Sequence, residues 1–232
     1  MAQNQSGNSK SLNRSRIQNQ NSFERTRENL AEFNNVSETT RLIRNGFQSL
    51  IKSADPGRHL TGRLQKQLME VLKTDSINDR GQRLVAKGNF GLMKDFEFNR
   101  NASLRSVLSL DFTFTVDRVT GKFVITFPPF IPVKELASYQ SATHFRLVTA
   151  GAELDIPNAD VNVNIAQTEY IPIQKAEVTV ANLENQVTAN TQLTLMLVMS
   201  VEYYQEVNGK MYLLRADKRN PMKVLYAESA VV

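Results

Sequence analysis

FTFTVDRVTGKFVITF, residues 112–127, decides the fold. Phe112, Phe114 and Val116 alternate with Thr113, Thr115 and Asp117, so one edge of the segment is apolar and the other polar. A period of two marks an extended strand half-buried against a core. Thr120-Gly121 then turns the chain, and Phe123, Ile125 and Phe127 repeat the alternation on the way back. Glycine reaches the positive φ that closes such a turn, so the segment predicts an antiparallel hairpin. The run PPFIP at 128–132 removes backbone donors and stops further pairing.

Towards the C-terminus the same period predicts strands at 143–149, 152–156, 160–165, 168–173, 176–181, 192–206 and 210–215. Asn208-Gly209 is the strongest hairpin signal, because both residues tolerate the positive φ of a type I′ turn. About nine short strands with regular turn signals argue for an antiparallel β-sandwich or small barrel rather than a parallel sheet. Phe96 and Phe98 already alternate, which starts the β region at about residue 95.

Upstream of that point the period is helical. Phe23, Leu30 and Phe33 fall at roughly helical spacing after Ser22, a candidate cap with Glu24 beside the positive end of the dipole. Ser37 reads as the cap of a second helix striped by Leu42, Ile43, Phe47, Leu50 and Ile51. Gly46 interrupts that stripe, at about 1 kcal/mol relative to Ala, and leaves room for a close neighbour. Asp55-Pro56-Gly57 ends it as a turn. A third helix is marked by Leu60, Leu64, Leu68 and Leu72. Residues 73–94 show no sustained period, being broken by Gly81, Gly88 and Gly91. The expected class is therefore α+β, N-terminal helices followed by an antiparallel β-sandwich or small barrel. Its three parts are a polar basic arm (1–22), a helical region (23–94) and an antiparallel β domain (95–232).

The arm holds five Asn, four Gln and five Ser, with Lys10, Arg14 and Arg16 as its only charges. Too little of it is apolar to offset backbone ordering, so in isolation it is expected to lack structure. The net charge of +5 is unevenly placed: residues 1–105 hold 18 Lys and Arg against 10 Asp and Glu, and residues 106–232 hold 10 against 13. Such asymmetry fits nucleic-acid contact or complementary surfaces on neighbouring copies of one chain. No apolar run reaches the roughly 18 residues of a membrane helix, and the N-terminus lacks a secretory apolar core. A cytoplasmic location, or an assembly built in the cytoplasm, is expected. The absence of cysteine removes disulfides and thiolate chemistry.

Catalytic groups are sparse. There are two histidines, His59 after a turn and His144 in a strand opposite Phe145, and neither has partners at local spacing. No GxSxG, Walker loop, HExxH or GxGxxG occurs. Glu153, Asp155 and Glu169 would support an enzyme only if they converged. DIPNADVNVN, residues 155–164, offers Asp155, Asn158, Asp160, Asn162 and Asn164 as oxygen ligands, but lacks the central Gly and distal Glu of a calcium loop. The better reading turns Val161, Val163 and Ile165 inward and the polar residues to water. No metal, cofactor or catalytic residue is expected. For nucleic acid, Arg25, Arg27, Arg41, Arg44, Arg58, Arg63 and Lys66 extend the basic arm, yet Glu24, Glu28, Glu32 and Glu38 interleave with them and no aromatic platform accompanies them.

FERTREN…EF at 23–33, RGQRLV at 80–85, Phe96-x-Phe98-Asn99, DRVTG at 117–121, ATHFRLV at 142–148 and EYYQEVNGKMYLL at 202–214 together resemble an uncharacterised family of bacterial proteins, mainly from Bacteroidota. The resemblance covers about residues 23–226 and omits the arm. It implies a bacterial origin, compatible with a prophage or phage-tail-like gene cluster, and carries over no activity, cofactor or site residue.

The leading expectation is a non-enzymatic protein that self-assembles through its arm and first helices, with Phe23, Arg25, Arg27, Leu30 and Phe33 at the contact. The helix they start is an anchor, docked either on its own β domain or on the next molecule. The alternative is nucleic-acid binding through Lys10, Arg14 and Arg16. An enzyme and a loop-based binding module stand behind these.

Overall fold

The computed structural model describes residues 21–215 and 219–231. The arm expected over 1–22, with Lys10, Arg14 and Arg16, lies outside the described residues but for its last two positions. The chain is α+β, with its long helices first and nine antiparallel strands after them.

Helix α1 (Glu24–Gly46) is one continuous helix of 23 residues, so the break expected at Ser37 does not occur. Its inward positions, Glu32, Val36, Thr39, Thr40 and Ile43, keep helical spacing straight past Ser37. Thr40 Oγ1 donates to the Val36 carbonyl at 2.8 Å and Thr39 Oγ1 to that of Asn35 at 3.0 Å, which satisfies both hydroxyls without leaving the helix. Nor does Ser22 cap it: a 3-10 turn (Asn21–Phe23) leads in, and no side chain caps the first turn. At Phe47 the axis bends into α2 (Gln48–Ala54). Gly46 is the close approach its position suggests, since a Cβ there would lie 3.0 Å from Val161 Cγ2. Asp55 ends α2 in the left-handed region (φ 43°), with Pro56 after it.

Helix α3 (Leu60–Lys73) buries Leu60, Leu64, Leu68, Val71 and Leu72. Each such side chain contributes on the order of 1.5–3 kcal/mol when fully buried. Residues beyond it form no long element. Two 3-10 turns, Val85–Lys87 and Phe90–Met93, press Val85, Phe90 and Met93 into the same core.

The strands form two sheets. β1 (Thr113–Asp117), β2 (Lys122–Thr126) and β6 (Leu183–Gln186) make a three-stranded sheet in the order β1-β2-β6. β3 (His144–Asp155), β4 (Asp160–Gln167), β7 (Thr194–Val207) and β8 (Lys210–Leu213) run β4-β3-β7-β8, with β5 (Ile171–Pro172) paired to β3 and β9 (Met222–Glu228) to β7. The hairpin at 112–127 forms as expected, with Asp117 opposite Lys122. So does the Asn208-Gly209 turn, with Val207 opposite Lys210 and φ of 52° and 73°.

Three strand expectations are corrected. Segments 143–149 and 152–156 are one strand, β3, because Ala150-Gly151-Ala152 is a thin place in a packed strand and not a turn. Residues 176–181 contribute a single bridge, Phe130 to Val178, and no strand. β6 and β9 fall outside all the expected segments.

Side chains on β3 alternate between two cores. Val148, Ala150, Ala152 and Leu154 join Met196 and Val198 of β7 against the helices. Phe145 and Leu147 join Leu195, Leu197, Met199, Val201 and Tyr203 against the small sheet, with Phe123 and Ile125 facing them. The molecule is thus three layers deep: helices, large sheet, small sheet. β3 and β7, covered on both faces, read as near-continuous apolar runs for that reason.

Candidate interaction groove

The N-terminal turns of α1 divide their charges and apolar groups between two faces. Glu28, Glu32 and Asn35 turn towards the loop 75–85, and that loop is clamped to them. Glu32, only 4 % exposed, accepts from the Gly81 amide at 2.8 Å, from Arg83 Nε at 2.7 Å and from Arg83 Nη2 at 3.1 Å. A forked guanidinium-carboxylate pair is among the stronger polar contacts a protein makes. The bond from Arg83 holds the Glu32 carboxyl below its ordinary pKa against the opposing effect of burial, and raises that of Arg83 in turn. Arg80 approaches Glu28 at 3.4 Å and donates to Asn29 Oδ1 at 3.0 Å, while the Val85 amide donates to Asn35 Oδ1 at 2.9 Å. Two of the interleaved charges of SFERTRENLAEF, Glu28 and Glu32, therefore pair with a distant loop of the same chain.

The far end of the loop is organised by Asp75, which accepts from the Ile77, Asn78 and Leu84 amides and from Asn78 Nδ2 at 2.8–3.2 Å. Burial pushes its carboxyl up, but these hydrogen bonds outweigh it and bring the pKa down to about 2. A carboxyl whose folded pKa lies below its unfolded value stabilises the fold above that unfolded value, near 3.8, and loses the contribution as pH falls towards 2. Asp75→Asn should accordingly melt below the wild type at pH 7, with the gap narrowing progressively below about pH 4. Thermal melts of both proteins across that range check this; a pH-independent gap would mean that the carboxylate charge is not what holds the loop.

The other face of α1 is Thr26, Asn29, Leu30 and Phe33, the i, i+3, i+4, i+7 set of one helical stripe. It faces a cleft of about 740 Å³ completed by Met69 and Lys73 of α3 and by Arg80 and Arg83. Leu30 is 47 % exposed and Phe33 46 %, with Phe23 half-buried at the start of the stripe. Arg25 is exposed and Arg27 half-buried. The stripe expected to meet a core is real as a helical face, but the core lies on the adjacent face, through Glu32 and Val36. Leu30 and Phe33 are left open.

The remaining candidates are engaged locally. His144 Nδ1 lies 3.0 Å from Thr143 Oγ1 and its Nε2 3.9 Å from Glu206, at the start of β3. Glu153 accepts from Asn162 at 2.9 Å and Thr188 at 2.7 Å, Asp155 closes its turn through Asn158, and Glu169 lines a separate shallow cavity beside Ala181. These carboxylates do not converge. Asp160 binds the amide of Val161 and Asn164 that of Gln186. Val161 and Val163 pack against the helices as expected, whereas Ile165 is 44 % exposed because the helix layer ends short of it. Among the described residues, no group of three or more His, Asp or Glu is placed to hold a metal ion.

Sequence reasoning missed Asp75 and Arg83, polar residues inside a stretch with no period, and met Glu32 only as one of the charges interleaved with the arginines of the first helix.

No protein-family model, curated protein or solved structure matches this chain. Among the described residues no helix is long and apolar enough to cross a membrane.

Proposed function

We propose that the protein is a non-enzymatic structural subunit that assembles with copies of itself, the N-terminal arm and first helix of one copy engaging the cleft between α1 and α3 of another. The observation that carries this reading is the exposed Leu30-Phe33 pair on one helical stripe beside Met69. Burying the exposed half of two such side chains contributes about 1 kcal/mol each, too little for one contact but additive around a closed assembly. The stripe begins at Phe23, at the start of α1. Arg25 and Arg27 flank the same contact. Ordering an arm costs on the order of 1–2 kcal/mol per residue, and a neighbouring subunit is the natural source of compensation.

The test is the mass of the full-length protein by light scattering. Leu30→Asp with Phe33→Asp should reduce the particle to single subunits and leave the thermal melt within a few degrees of wild type, because both side chains are exposed. Deleting residues 1–21 should do the same. A wild type that is monomeric at every concentration, or variants of unchanged particle mass, would overturn the reading.

A further inference from the structure

A second surface lies around the turn 55–59, which leads from α2 into α3. A cavity of about 360 Å³ there is lined by Pro56, Gly57, Arg58, His59, Arg63, Arg100 and Asn101, with no carboxylate among them. Arg58 and Arg100 are exposed and make no ion pair or hydrogen bond among the described residues. Arg63 is half-buried: Nη1 donates to the Glu97 carbonyl at 2.6 Å and Nη2 to that of Phe98, with the guanidinium over the Phe96 ring. Its Nε is buried without an acceptor among the described residues. Burial lowers the Arg63 pKa, and the charge of Arg100 lowers it further, so a positive charge is held here against two opposing effects. The charge of Glu97 acts on Arg63 in the opposite sense; burial raises the pKa of Glu97 itself, and its Oε1 accepts from the Leu104 amide.

The backbone adds to the same potential. The cavity lies at the N-terminus of α3, a 14-residue helix with no side-chain cap at His59 and no acidic residue in its first turn. Unbonded amides at a helix start favour an anion. The cationic surface then continues past Arg58 into an adjoining cavity of about 640 Å³, where Lys52 and Arg215 stand with Asp55 as the one carboxylate among the described residues.

We propose that this cavity binds a phosphate group, held by Arg58 and Arg100 and by the first turn of α3. Forked guanidinium groups match phosphate oxygens two at a time, which an ammonium does not. Continuation of the track through Arg58 to Lys52 and Arg215 favours successive phosphates of a nucleic-acid backbone over a single free phosphate. The site shares no residue with the α1–α3 cleft, so it stands or falls independently of the assembly reading.

The experiment is titration of the full-length protein at low ionic strength with inorganic phosphate and, separately, with a short single-stranded DNA oligonucleotide. The Arg58→Ala, Arg100→Ala double variant is titrated in parallel. Wild-type binding weakened more than about tenfold in the variant, whose melt should be unchanged, supports the site. If phosphate alone saturates it, the source is a free phosphate ligand. If only the oligonucleotide binds, with affinity falling steeply as salt rises, the source is a nucleic-acid backbone. No binding of either, or equal binding by wild type and variant, overturns the proposal.

Discussion

Replacing Gly151 with valine should abolish the native fold, and with alanine should lower the melting temperature by roughly 5–10 °C. Gly151 sits in the middle of β3, opposite Asn164 on one side and Leu197 on the other. Its missing side chain points at the small sheet. A Cβ there would lie 2.2 Å from Phe123 Cδ2, 2.7 Å from Cε2 and 2.8 Å from the Cβ of Asn185. Neither neighbour has room to yield. Phe123 is fully buried, and Asn185 is fixed by the Thr149 hydroxyl, which donates to it at 2.8 Å, and by its own bond to the Asn164 carbonyl at 2.9 Å. Overpacking a core by one methyl typically costs about 1–3 kcal/mol, and a branched side chain costs more, against a total stability of about 5–15 kcal/mol. Melts followed by circular dichroism decide it: Gly151→Ala melting with the wild type would mean that the two sheets are not packed this closely.

Glu32→Ala should cost about 2–3 kcal/mol, because it removes the buried member of an ion pair whose Arg83 partner is half-buried, and leaves the Gly81 amide without its acceptor. For a chain of this size that is a fall of roughly 5–10 °C in melting temperature. A double-mutant cycle with Arg83→Ala separates the pair from its surroundings, and additive losses would count against a direct coupling. The same variant frees the wall of the α1–α3 cleft. It should therefore lose both stability and assembly, whereas Leu30→Asp with Phe33→Asp should lose assembly alone.

The parts of the fold legible in the sequence are those where one neighbour sets the pattern. Leu60, Leu64, Leu68 and Leu72 face one core, and FTFTVDRVTGKFVITF is half-covered, so each shows its period openly. Where two layers press on one segment the pattern is lost. Ala150-Gly151-Ala152 reads as an interruption because its small residues answer to Phe123 on one side and the helices on the other. Ser37 misleads for the opposite reason, a good cap residue within a helix whose buried threonines are satisfied internally. The groove was half legible. Helical spacing identified Leu30 and Phe33, but which side of α1 meets the core depends on Glu32, whose partner Arg83 is 51 positions away. Arg58 of the turn 55–59 and Arg63 of α3 were legible as charge, while their approach to Arg100 depends on how α3 is seated.

The double covering of β3 and β7 has a bearing on recognition. A two-layer sandwich can present the broad face of a sheet to a ligand; here the two central strands of the larger sheet have both faces occupied by the protein's own layers. Whatever this molecule touches must meet it at its periphery, on the helices, the outer strands or the connecting turns. The exposed stripe of α1 and the turn before α3 are both peripheral in this sense, and both belong to the helical layer, with the sheets as the mount behind them.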